Sequence, residues 1–140
     1  MGPEPAPDNE IFYRAILRKE WFDPDDPNRV KPEAFFRRRT KVRRGVARPG
    51  DEDGLSLFRA SKIEPIECAH SFNECFGVVS IDSRTLEAFG LVIVNDPEDD
   101  RKVLLQNVPY ENPGDTQQEK LVGDIAEAAT IIVKGEYRRR

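Results

Sequence analysis

Turn-forming clusters cut this chain into short segments, and that punctuation constrains its fold more than any other feature. Asp23-Pro24-Asp25-Asp26-Pro27-Asn28, Pro49-Gly50-Asp51-Glu52-Asp53-Gly54, Asn95-Asp96-Pro97 and Asn112-Pro113-Gly114 all combine turn-forming residue types. Proline presets φ, glycine reaches left-handed backbone, and Asp or Asn bonds its own main chain, so each cluster ends an element.

Apolar patterning names the elements between the clusters. Ile11-Phe12-Tyr13-Arg14-Ala15-Ile16-Leu17 is apolar and aromatic and predicts a strand. Leu55-Ser56-Leu57-Phe58-Arg59-Ala60, Gly77-Val78-Val79-Ser80-Ile81, Leu91-Val92-Ile93-Val94, Val103-Leu104-Leu105 and Thr130-Ile131-Ile132-Val133 read the same way. Pro32 and Pro65 suit the first turn of a helix, where a missing N–H costs nothing. From Pro32, with Glu33 at the positive end of the helix dipole, arginines at the other end and Gly45 as a cap, the pattern predicts a helix over 32–44. A strand over 41–46 is the competing reading. Ile66, Ala69, Phe72 and Phe76 recur at helical spacing up to Gly77. Asp82 or Ser83 can cap a short helix ended by Gly90. Asp115 with Gln118 has capping-box spacing before a stripe of Leu121, Val122, Ile125, Ala128 and Ala129. The expected order is β-α-β-α-β-α-β-β-α-β. It predicts an α+β or mixed α/β fold: a single small domain with a mixed sheet and three to four helices.

At 140 residues the chain has the commonest domain size. A chain near this length buries roughly two-thirds of its unfolded surface, so a real core is within reach. The Pro-rich, acidic residues 1–10 read as a flexible leader, residues 11–137 as the domain and residues 138–140 as a basic tail. No apolar run approaches the length of a membrane helix, and no secretory signal pattern opens the chain, so a cytoplasmic protein without membrane association is expected.

Charge gives the strongest functional signal. The chain carries net −4, yet Phe35 to Arg48 hold seven positive charges and no negative one. The candidate partner-binding residues are therefore Arg37, Arg38, Arg39, Lys41, Arg43, Arg44 and Arg48. On a helix, Arg37, Lys41, Arg44 and Arg48 would share a face. Guanidinium groups grip carboxylate or phosphate bidentately, so the run suits an anionic partner. An acidic protein surface fits better than nucleic acid, because net −4 repels a polyanion outside the patch. The alternative without a partner is a solvated face neutralised by Asp51, Glu52 and Asp53.

No catalytic or metal site emerges. Cys68 and Cys75 lie seven residues apart with His70, the only histidine, between them. On a helix His70 would point about 160° away from both thiols, which argues against a zinc site and against a Cys–His nucleophile. The cysteines read as packing residues and His70 as a surface residue. The acidic groups Asp23-Asp25-Asp26 and Asp96-Glu98-Asp99-Asp100 lack calcium-loop spacing. Phosphate-loop, nucleophile-elbow and zinc-protease motifs are absent. No cofactor is expected.

Tyr13-Arg14-Ala15-Ile16, Trp21, Arg29-Val30, Ala34-Phe35, Leu55-Ser56-Leu57, Gly77-Val78, Gly90-Leu91 and Asp96-Pro97 occur in this order. Together, over residues 11–97, they resemble a diffuse family of small bacterial proteins for which no activity is established. That family's Pro-x-His-Ala ending is replaced here by Asn112-Pro113-Gly114-Asp115. Tyr13-Arg14 is also similar to the opening of the RES-type toxins that consume NAD, whose Gly-Gly-Arg-Trp-Asn signature this chain lacks. That likeness implies, as an alternative function, a nucleotide-consuming enzyme using Arg14.

Overall fold

The computed structural model describes residues 10–38, 41–48, 50–110 and 114–139. Six strands form one sheet: β1 (Ile11–Ile16), β4 (Leu55–Arg59), β5 (Cys75–Asp82), β6 (Ile93–Asn95), β7 (Lys102–Leu105) and β8 (Thr130–Tyr137). Their order is β6-β7-β4-β1-β5-β8, and every ladder is antiparallel. Two more strands, β2 (Lys41–Arg43) and β3 (Val46–Arg48), make a separate two-stranded hairpin.

This architecture corrects the expected balance of helix and sheet. The fold is a sheet-dominated antiparallel one, not an α+β or mixed α/β fold with a mixed sheet. Among the described residues there are three α-helices: α1 (Pro65–Ala69, 5 residues), α2 (Ser83–Ala88, 6 residues) and α3 (Thr116–Ala128, 13 residues). Of the three only α3 has the dozen residues usual for the helix of a parallel crossover, and β8, which follows it, pairs antiparallel with β5.

The sheet buries both faces. On one face Phe12, Ile16, Leu55, Leu57, Val79, Ile81, Val103 and Leu105 pack against Ala34 and Phe35 and against Val122, Ile125 and Ala126 of α3. On the other, Ala15, Phe58 and Val78 pack against Ile63, Cys68, Ala69 and Cys75. Alternation in β1 explains the split: Phe12 and Ile16 serve one face, Tyr13 and Ala15 the other. The two helix caps act as their sequence suggests. Asp82 accepts from the Arg84 amide at 2.7 Å, and Asp115 from the Gln118 amide at 3.1 Å.

The helix expected from Pro65 to Phe76 stops at Ala69, and Cys75 and Phe76 already belong to β5. Its stripe does not share one face: Ile66 is exposed and Ala69 is fully buried. Both cysteines are buried reduced thiols, as expected. Of the expected leader, residues 1–9 lie outside the described residues, and Glu10 is part of the fold. Its amide donates to Ser83 Oγ at 2.8 Å, and its carboxylate pairs with Arg59 at 2.8 Å. No helix among the described residues is long and apolar enough to cross a membrane.

Candidate functional site: the arginine-rich hairpin

The segment expected to be a helix over 32–44 is instead a short 3-10 helix (Pro32–Phe35) followed by the β2–β3 hairpin. Proline at the first position serves a 3-10 turn as well as an α-helix. Past Phe35 the β-branched Val42 and Val46 flank the turn, and β-branched residues favour strands. Gly45, read as a helix cap, is the second residue of a two-residue hairpin loop. Arg44 and Gly45 have φ of 54° and 75°, the pair of positive values that a type I′ turn demands. The register is Lys41 opposite Arg48, Val42 opposite Ala47 and Arg43 opposite Val46. The expected helical face of Arg37, Lys41, Arg44 and Arg48 is therefore not formed. Arg39 lies outside the described residues.

The hairpin divides the basic run into two halves with different work. Arg37 is committed to the fold. Its Nε donates to the Asp51 carbonyl at 2.8 Å, Nη1 to the Gln106 carbonyl at 3.2 Å, and Nη2 to the Glu52 carbonyl. Its guanidinium also lies over the Tyr110 ring, 4.5 Å from the centroid. Arg38 is tied to Asp51: its amide donates to Asp51 Oδ2 at 2.7 Å, and its Nε stands 3.5 Å from the same oxygen. The turn-rich acidic loop thus folds back onto the start of the run. It meets Arg37 mostly through backbone carbonyls, which no charge count reveals.

Lys41, Arg43 and Arg44 lie beyond this clamp. They are exposed, and their side chains form no ion pair with any described residue. Val42 and Val46, 71% and 64% exposed, stand among them. The result is a tight ribbon with basic and apolar surface, fixed at its base.

Arg14 has a different setting. It projects from β1 into the core with 6% of its surface exposed. Nε donates to the Ala34 carbonyl at 2.9 Å, Nη1 to the Ser56 carbonyl at 3.4 Å, and Nη2 is buried with no described hydrogen-bond partner. The guanidinium stands 5.9 Å from the centre of the Trp21 ring. Burial lowers its pKa to about 10, and the field of Asp51 acts in the opposite direction. These bonds tie β1 and β4 to the 3-10 helix that leads into the hairpin.

The remaining candidate groups have structural settings. His70 is half-buried, its Nδ1 2.7 Å from the Arg138 carbonyl and its ring edge-on to Tyr137. Asp23, Asp26, Asp96 and Asp99 each accept from the amide two residues on, at 2.8–3.0 Å, so these acids build the loops that hold them. Among the described residues no three His, Cys, Asp or Glu side chains are grouped as a metal site would need. A cavity of about 500 Å³ opens where β1, β5 and β8 end, lined by residues that include Arg18, Glu74, Phe76 and Arg138. It contains no residue of the basic run.

No family model, curated protein or solved structure matches this chain.

Proposed function

We propose that this protein is an interaction module whose β2–β3 hairpin docks on an acidic surface of a protein partner. The observation that carries the reading is the division of the basic run. Arg37 and Arg38 hold the hairpin base, which leaves Lys41, Arg43 and Arg44 presented without counter-ions among the described residues. A basic ribbon already paired as a hairpin and tied at its base has less conformational freedom to lose on docking than an open loop, and pre-organisation of that kind favours binding.

The extent of the positive surface favours protein over nucleic acid. Three residues per strand span roughly 10 Å, enough for only a few phosphates of a duplex. Below the ribbon the exposed Glu33, Glu52 and Asp53 would repel a polyanion that ran further. A compact patch of carboxylates on a folded partner meets the cations without reaching those acids. The exposed Val42 and Val46 add apolar contact that a phosphate backbone would not use.

The test is fluorescence anisotropy of the full chain against a labelled poly-glutamate peptide and a DNA duplex of equal charge at physiological ionic strength. The reading expects tighter binding of the peptide. It also expects that binding to vanish when Lys41, Arg43 and Arg44 are all changed to Glu, with the melting temperature nearly unchanged. Tighter binding of the duplex would move the reading to nucleic acid. Peptide binding untouched by the triple change would overturn it.

A further inference from the structure

We infer that Arg44 is the anchor of this interaction, a guanidinium at the hairpin tip that pairs with carboxylates of the protein partner. The inference rests on the docking role proposed above and names the residue and chemistry through which it acts.

The backbone points to this residue. Arg44 has φ of 54°, the one positive value at a non-glycine position among the described residues. Left-handed backbone crowds Cβ against the following carbonyl, so a two-residue turn of this type favours Asn, Asp or Gly at its first position. Arginine is a poor choice there for folding. Among the described residues nothing repays it: the Arg44 side chain forms no ion pair there. A backbone outlier kept without internal compensation is grounds for a functional hypothesis.

An added Cβ at Gly45 would meet nothing within 4 Å, so the space beside the turn at this position is open. Arg37 and Arg38 cannot take this role. Arg37 is bound to three backbone carbonyls, and Arg38 shares Asp51. Lys41 sits one strand length back from the turn, opposite Arg48. Arg43 is exposed too but belongs to β2 behind the turn, so Arg44 joins the foremost position to a planar fork with no ion pair among the described residues. A planar fork pairs bidentately with a carboxylate, which a lysine ammonium cannot do.

One substitution separates folding from binding. Arg44→Asn places a favoured turn residue before Gly45 and removes the guanidinium. The expected result is a melting temperature equal to or above that of the parent chain, with binding of a labelled Glu-rich peptide weakened about tenfold or more, the scale of a lost charge-assisted pair. Arg44→Lys keeps the charge without the fork and should lose several-fold. Unchanged binding by Arg44→Asn, alongside loss by Lys41→Glu with Arg43→Glu, would overturn the anchor and leave the docking surface intact. Equal binding by Arg44→Lys and the parent would overturn the bidentate pairing. Unchanged binding by all of these variants would overturn the docking surface itself.

Discussion

Asp51 and Arg38 hold each other twice. The Asp51 amide donates to the Arg38 carbonyl at 2.7 Å, and the Asp51 carboxylate accepts the Arg38 amide at 2.7 Å. Residues thirteen positions apart thereby close the base of the hairpin. The ion pair alone would contribute little, because the Arg38 side chain is 57% exposed. The two amide bonds, one to a main-chain carbonyl and one to the carboxylate, do the holding.

Asp51→Ala should therefore loosen the hairpin base. The expected cost is about 1–2 kcal/mol, the scale of one charge-assisted hydrogen bond at a partly wet site. Asp51→Asn keeps an acceptor for the Arg38 amide and should recover part of that loss. Urea unfolding gives the stabilities, and amide exchange at Val42 and Val46 reports the hairpin directly. Unchanged exchange in Asp51→Ala would show that the clamp does not control the ribbon.

Arg37 and Arg43 look equivalent in the sequence and should behave differently. Arg37→Ala removes three donors to backbone carbonyls and a stacking partner for Tyr110. It should cost about 1–3 kcal/mol by the usual value of such bonds. Arg43→Ala, on the exposed ribbon, should stay within about 0.5 kcal/mol of the parent. Thermal unfolding of the two variants side by side decides this. Equal melting temperatures would mean that Arg37 is as peripheral as Arg43.

Local signals in the sequence placed most of the strands. The apolar run at Ile11 becomes β1, the β-branched run at Gly77 becomes the middle of β5, and Asp82 and Asp115 cap the helices their spacing suggests. The basic run was harder to read for a definite reason. A glycine after arginines serves equally as a helix cap and as the second residue of a hairpin loop, because both need left-handed backbone. The choice falls to Val42 and Val46, whose strand preference outweighs the helix-starting signals at Pro32 and Glu33. The roles of Arg37 and Arg14 were not legible at all. Both bind main-chain carbonyls distant in sequence, and carbonyls are present at every position. The parallel component expected of the sheet failed because strand direction is set by pairing between distant segments, which no local apolar run encodes; α2 has the short length its caps suggested, while α1 is shorter than its stripe.

Gly77 leaves no room for a side chain where β5 passes β8. A Cβ there would lie 2.6 Å from the Val133 carbonyl oxygen and 2.8 Å from the Phe22 ring. The first contact is with backbone and cannot be relieved by a rotamer change. Gly77→Ala should cost about 2 kcal/mol or more, within the range for overpacked sites, and should disturb the pairing of Gly77 with Lys134. Chemical denaturation measures the loss. A neutral result would mean that β8 shifts freely at this point, where its register already carries irregularities.

Cys68 links burial to pH. It sits fully buried in α1, and burial pushes its thiol from the ordinary value near 9 up to about 12, with Cys75 adding to the rise. Burial raises Cys75 as well, while the Gly77 carbonyl, bonded to its Sγ at 3.0 Å, lies against it. The folded state thus holds the Cys68 proton more tightly than the unfolded state does. Between about pH 9 and 12 the unfolded chain binds fewer protons, so stability falls as pH rises. Below pH 9 this contribution is fully present, and it is lost as pH climbs toward the folded value. Cys68→Ala removes one ionisable thiol and should flatten the decline of stability above pH 9, even though the smaller side chain lowers stability at neutral pH. The same burial should shield both thiols from a disulfide reagent at neutral pH until denaturant is added, because the thiolate is the reactive form. Urea midpoints at several alkaline pH values give the first result, and thiol titration gives the second. A variant with the parent's slope, or rapid labelling of the native protein, would show that the thiol environment is wetter than the packing of α1 on the sheet implies.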